Sequence, residues 1–213
     1  MSEKKLEIKV CGMTQEANIA EVSSLLPDYL GFILFDRSPR CCRGMDPGLP
    51  DSLPSGVQPV LVTVDMPVEE LVSEARSLGI RTLQLHGSES PETCRRLKAA
   101  GFTIWKAVPV SSTSDFAALE RYAGTVDRFL FDTSSPLRGG SGRKFDWSLL
   151  DSYSLSVPFM LSGGIGPDDA GSISELRHPM LAGIDVNSRF ETAPGVKDAA
   201  LIKSFIEKIR NNE

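Results

Sequence analysis

Residues Leu6–Thr14, LEIKVCGMT, run into QEANIAEVSSLL and so join a strand pattern to a helix pattern across a single glycine. Leu6, Ile8 and Val10 alternate with charged residues, as in a β-strand whose side chains point to opposite faces in turn. From Glu16 onward the apolar residues recur at helical spacing. Cys11 and Gly12 sit at the junction. A cysteine is usually a small buried hydrophobe, and a strand end beside a glycine is a poor place to hide one.

The strand–turn–helix unit repeats. Further β-type runs are Tyr29–Leu34, Pro59–Val64, Thr82–Leu85, Thr103–Val108, Phe129–Phe131, Pro158–Leu161 and Gly183–Val186. Between them lie the helical stretches Glu16–Leu26, Pro67–Ser77, Pro91–Ala100, Asp115–Tyr122, Asp168–Leu176 and Asp198–Arg210. Pro67 and Pro91 suit early helical positions, and Asp168 and Asp198 are candidate caps. Eight β-type runs, each followed by a connection, predict an α/β fold of the (β/α)8 TIM-barrel type. A doubly wound sheet usually has fewer strands and a recognisable nucleotide loop. Two connections fit poorly: Met45–Gly56 holds too much Pro and Gly for a regular second helix, and KFDWSLLDSY offers only a short sixth one. Alternation continues across both, so residues 1–213 read as one barrel domain with a degraded second helix.

Composition narrows the partners. Charged residues make up 24% of the chain and the net charge is −5, with no basic block, which argues against nucleic acid. MSEKKLEIKV has no apolar core of a signal peptide, and LGFILF is too short to span a bilayer, so a cytoplasmic protein without membrane contact is expected. Cysteines at 11, 41, 42 and 94 lack C-x-x-C spacing, and only His86 and His178 accompany them; no metal site is expected. Cys41 and Cys42 read as loop thiols, Cys94 as a helix-packing residue and His178 as a surface residue.

A barrel carries its chemistry at the C-terminal ends of its strands. Here those positions hold Cys11-Gly12, Asp36-Arg37 leading to Arg40, Asp65, His86-Gly87, Asp132-Thr133, Ser162-Gly163-Gly164 and Asn187-Ser188-Arg189. LSGGIGP and DVNSRF follow the seventh and eighth runs, where barrels commonly hold a phosphate. Gly163, Gly164 and Ser188 would donate hydrogen bonds, and Arg189 would add charge. The same SGG also reads as a tight turn. Asp132 opens a long glycine-rich stretch to Trp147, either a mobile lid or disordered surface; its carboxyl reads as a general acid or as a loop-ordering group.

KVCGMT, GFILFDRSPR, LQLHG, FDTSSPLRGGSGRKFDW, LSGGIGPDD and GIDVNSRFETAPGVKD stand in an order and spacing that resemble phosphoribosylanthranilate isomerase, from about Leu6 to about Phe205. That family is a (β/α)8 barrel performing the third step of tryptophan synthesis from anthranilate, a cofactor-free Amadori rearrangement of a small phosphosugar. The resemblance implies that Cys11 is the catalytic base and Asp132 the catalytic acid. It implies that Arg40 meets the anthranilate carboxylate, with Asp185 near the substrate. Gly163-Gly164 and Asn187-Ser188 map onto the phosphate groups. His86 matches the family within LQLHG; Gln84 shares its inward alternation, and both join the expected substrate-binding set. A thiol suits the base role because its unperturbed pKa is only about 8.5.

Several positions depart from the family pattern. DVNSRFE replaces D-V-S-S-G-V-E, so Arg189 stands where a glycine is usual, either bending the loop or adding a phosphate contact. A left-handed arginine there would cost about 1 kcal/mol or more. VLVTVD brings Asp65 as an extra carboxylate near the site, and Lys106 interrupts an apolar strand either as a satisfied interior lysine or as a site cation. Two rival readings are a related phosphosugar isomerase of histidine biosynthesis and a non-catalytic phosphosugar-binding paralogue. Retention of Cys11 with Asp132 disfavours both. Either a monomer or a homodimer is compatible with the sequence.

Overall fold

In the computed structural model of the chain, residues 5–133 and 146–211 are described. Its strands are β1 (Glu7–Cys11), β2 (Tyr29–Leu34), β3 (Gln58–Thr63), β4 (Thr82–Leu85), β5 (Thr103–Val110), β6 (Arg128–Thr133), β7 (Phe159–Leu161) and β8 (Leu181–Val186). All pair in parallel, in sequence order. β1 pairs with β8 and closes the barrel. The parallel register sets Cys11 beside Gly31 and Lys9 beside Asp185, so residues far apart in the chain meet inside.

Strand periodicity sorts the side chains into two cores. Cys11, Tyr29, Val60, Val62, Trp105, Ala107, Leu130 and Met160 point inward and fill the barrel. Alternate residues such as Ile8, Val10, Phe32, Leu83, Phe129 and Phe131 point outward and pack under the helices. At the N-terminal end, Arg128 lies over Trp105, 4.7 Å from its ring centroid, and over Tyr29 at 5.7 Å, and it pairs with Glu7. Trp105 and Tyr29 meet edge to face at 4.8 Å. This plug closes one end, leaving the other for chemistry.

The helices are α1 (Glu16–Ser23), α2 (Val68–Ser77), α3 (Pro91–Ala99), α4 (Ser114–Ala117), α5 (Ala170–Glu175) and α6 (Ala199–Asn211). Ser90 caps α3 by accepting the Thr93 N–H, and Asp198 accepts the Leu201 N–H at the start of α6. Asp168 does not cap α5. Asp169 folds back instead and accepts the Gly166 N–H at 2.7 Å. After β2 the helix is reduced to a 3-10 turn at Pro50–Ser52, because the prolines and glycines of Met45–Gly56 cannot sustain i→i−4 hydrogen bonding. The sixth connection likewise keeps only a 3-10 segment, Trp147–Ser152. A short antiparallel pair, β9 (Glu191–Ala193) with β10 (Val196–Lys197), follows β8. The body of the stretch expected as a mobile lid or disordered surface, 134–145, lies outside the described residues. None of the helices among the described residues is long and apolar enough to cross a membrane.

Candidate active site

The eleven residues expected in the catalytic, substrate-binding and phosphate-binding sets line one cavity at the C-terminal ends of the strands. Cys11 enters from β1. Its Sγ is nearly buried, with 3% of the residue exposed. Two glycines make room for it. Gly12 turns the chain at φ +83°, and a Cβ there would lie 2.7 Å from Arg40 Cδ and 2.9 Å from Asn187 Oδ1. Gly31 on β2 faces Cys11 so closely that a Cβ would sit 2.7 Å from Sγ. Burial pushes the Cys11 thiol up, while the Lys9 ammonium beneath it pulls the other way.

Lys9 is wholly buried in the barrel and donates to Asp185 Oδ1 at 2.9 Å. Ser162 Oγ donates to the other oxygen at 3.2 Å. Burial disfavours the ammonium, but Asp185 and Cys11 together hold Lys9 above its ordinary pKa.

Arg40 forms one wall. Its Nε and Nη2 donate to the two carboxylate oxygens of Glu191 at 2.8 and 2.6 Å. Glu191 Oε1 also accepts from Lys197 Nζ at 2.6 Å and from the Gly195 N–H at 3.1 Å. Lys197 donates in turn to Asn187 Oδ1 at 2.7 Å. Burial would raise the Glu191 carboxyl, yet the Arg40 and Lys197 hydrogen bonds hold it below the usual carboxylate range. The result is a clamped guanidinium whose Nη1 has no partner among the described residues.

Asp132 stands at the end of β6, across the cavity, with its Oδ2 3.3 Å from His86 Nε2. Gln84 Nε2 lies 3.0 Å from His86 Nδ1. With the amide nitrogen facing Nδ1, the proton of a neutral imidazole sits on Nε2, towards Asp132. Gly163 and Gly164, at φ of +87° and +68°, also line the cavity, in a backbone conformation that glycine adopts without strain. Ser188 and Arg189 line the cavity beside them.

A thiol, a carboxyl, a clamped guanidinium and a pair of glycines thus share one cleft. The family model of N-(5'-phosphoribosyl)anthranilate (PRA) isomerase matches residues 8–208. The chain belongs to this family. A curated relative from Parabacteroides distasonis, named N-(5'-phosphoribosyl)anthranilate isomerase, is 44% identical over 204 residues, spanning 95% of this chain and 92% of its own. Monomers generated from the dimeric isomerase of Thermotoga maritima are 30% identical, with a TM-score of 0.79 over 97% of this chain and 99% of theirs. An isomerase solved with reduced 1-(o-carboxyphenylamino)-1-deoxyribulose 5-phosphate is 29% identical, again at TM-score 0.79, over the same 97% and 99%.

In this isomerase several expectations need correcting. Asp65 does not face the cavity: at φ +50° it turns its carboxylate to the Ser88 N–H, 2.5 Å away. Lys106 is the satisfied interior lysine, donating to the Leu85, Gly87 and Ala107 carbonyls and lying 3.3 Å from Glu89. Arg189 lies in a 3-10 turn, Ser188–Phe190, and outside the left-handed region, so no backbone strain attends it. His178 is not a free surface group: it is half-buried, accepts the Met180 N–H through Nδ1 and reaches the Tyr153 carbonyl through Nε2. Cys42 is buried, although its neighbour Cys41 is half-exposed as befits a loop. Lys9, Glu191 and Lys197 join the site without having been expected there. Lys9 had a usable signal, since it alternates with Cys11 and therefore shares its inward face.

Proposed function

We propose that this isomerase, in tryptophan biosynthesis, rearranges N-(5'-phosphoribosyl)anthranilate with Asp132 as general acid and Cys11 as general base. The observation that carries this reading is their placement: one thiol from β1 and one carboxyl from β6, on opposite sides of one cavity. Asp132 gives its proton to the furanose ring oxygen as the bond from that oxygen to the anomeric carbon breaks. The anilino nitrogen lone pair then forms the iminium. Cys11, as thiolate, removes the proton from the adjacent carbon, and the released pair neutralises the iminium to give an enolamine. Tautomerisation yields the ketone. Acid and base must hold opposite protonation states at one pH.

The rest of the cavity orients the substrate. Arg40 is fixed by Glu191 and presents Nη1 to the anthranilate carboxylate, a planar charge-assisted contact. The phosphate rests against the Gly163–Gly164 backbone, Asn187 and Ser188, with Arg189 adding a positive charge absent from the usual family motif. His86, hydrogen-bonded to Gln84, orients Asp132 towards the ring oxygen.

Fluorescence decay of phosphoribosylanthranilate, followed for the wild type, Cys11→Ala and Asp132→Asn, tests the assignment. Each substitution is expected to lower kcat by about 10²-fold or more, as loss of a positioned acid or base does, with unfolding transitions near the wild type. Near-wild-type turnover in either variant would refute the role of that residue. An inert wild type would favour a phosphosugar-binding paralogue.

A further inference from the structure

Nothing in the proposed chemistry uses Lys9, although it is a charged side chain with no exposed area, in the middle of an enzyme barrel. Burying an ammonium is costly, and an apolar residue would fill the same space at less expense. Its location is informative. It lies two residues before Cys11 on the inward face of β1. The missing Cβ of Gly31 would be 2.7 Å from Cys11 Sγ and 3.0 Å from Lys9 Nζ, so the two atoms are at most about 5.7 Å apart, the sum of those distances. Asp185 on β8 holds the ammonium in place and is itself held by Ser162, just after β7.

We propose that Lys9 is the positioning residue for the base: a fixed, buried positive charge that stabilises the Cys11 thiolate. The inference rests on Cys11 being the base. The charges around the thiol support it. Lys9 faces Cys11 from β1, Asp185 from β8, Lys197 from β10, and Arg40 and Cys42 from the loop after β2. Glu191 binds both Arg40 and Lys197. Three cations against two carboxylates leave one positive charge, and a thiolate cancels it. Lys9 is the cation with the strongest hold on the thiol: after burial itself, it is the largest influence on Cys11 ionisation. Asp185 opposes it, by lowering the potential that Lys9 creates. The pair therefore sets the thiol between two fixed charges of opposite effect.

The opposed effects give a test with two signs. Alkylation of Cys11 by iodoacetamide is followed against pH, with the Cys11 peptide quantified by mass spectrometry. Burial pushes the Cys42 thiol up to about 12 and the Cys94 thiol to about 11, and peptide-level quantification separates Cys11 from Cys41. In Lys9→Met the apparent pKa for alkylation is expected to rise by about one to two units, slowing the reaction about 10- to 100-fold at neutral pH. The acid limb of kcat/KM should move with it. In Asp185→Asn the alkylation pKa should fall, because the carboxylate that raises it is gone while the thiolate itself still favours the Lys9 ammonium. A structural filler role would move neither in this pattern. Unchanged alkylation profiles, or shifts of the same sign, overturn the proposal. Should Lys9→Met fail to fold, the direction of the Asp185→Asn shift decides alone. Turnover in Cys11→Ala separates the two ideas: if it persists, Cys11 is not the base, while the alkylation shifts still report on Lys9.

Discussion

Substituting Gly12 by alanine separates two costs that the KVCGMT turn combines. Gly12 and Gly44 share the same backbone angle, φ +83°, so alanine at either pays the left-handed penalty of about 1–2 kcal/mol. At Gly44 nothing lies within 4 Å of the new Cβ, and no further cost arises. At Gly12 the Cβ would stand 2.7 Å from Arg40 Cδ and 2.9 Å from Asn187 Oδ1, well inside contact distance. Arg40 is held at its other end by Glu191, so it cannot swing away freely. An overpacked site of this kind costs about 1–3 kcal/mol more. Gly44→Ala should therefore lose about 1–2 kcal/mol and Gly12→Ala about 2–5 kcal/mol in urea unfolding.

The functional consequence differs as sharply. Gly44→Ala should leave kcat and KM near the wild type. Gly12→Ala should lower kcat/KM by about tenfold or more, because a shift of the order of 1 Å in a substrate clamp is costly. Equal destabilisation in the two variants, with KM unaltered in Gly12→Ala, would show that the glycine serves only the turn and not the approach of Arg40.

Glu191→Gln tests the clamp itself: KM should rise several-fold with kcat less affected, since Arg40 loses its charged anchor. Its stability effect should also depend on pH. The folded carboxyl is held below its unfolded value, so the stabilisation is complete above about pH 4.3, the unfolded value. It is lost as pH falls through the lower folded value, and the gap between wild type and Glu191→Gln in urea unfolding should close in acid. Lys106→Met should cost about 3–5 kcal/mol by chemical denaturation, because it strips three carbonyls of their donor and leaves Glu89 without its cation. A loss below about 1 kcal/mol would contradict its role as an interior tie.

The eight strands were legible because each alternates or runs apolar over a short length, and because glycine or proline punctuates the connections. Strand-end position placed Cys11 and Asp132 among many polar residues, and only the resemblance to phosphoribosylanthranilate isomerase singled them out as base and acid. Partnerships were not legible. Arg40 and Glu191 are 151 residues apart, and Lys9 and Asp185 are 176 apart. Periodicity tells which face a residue occupies, but only closure of β1 on β8 decides which residue it meets. Asp65 illustrates the opposite failure. Its place after β3 suggested a site carboxylate, whereas its left-handed backbone turns the side chain to a neighbouring loop N–H.

The barrel interior divides its labour along its axis. At the N-terminal end Arg128 spends its charge on the faces of Trp105 and Tyr29 and on Glu7, sealing the strands where no substrate enters. Above that plug the interior turns ionic, with Lys9 and Asp185 directly beneath the thiol. A buried ion pair is weak support for stability, since desolvation consumes most of its attraction. The outward-facing core, with Phe32, Phe129, Phe131 and Phe159 fully buried, is where the fold draws its hydrophobic stabilisation. Stability held in the outer layer leaves the inner layer free to carry charges that packing alone would reject. Cys11, as the proposed base, needs such a setting: a thiol sunk in an apolar interior stays protonated, and a neighbouring lysine favours the thiolate. Between Lys9 below and the cavity above, it has the charge of the first and the access of the second.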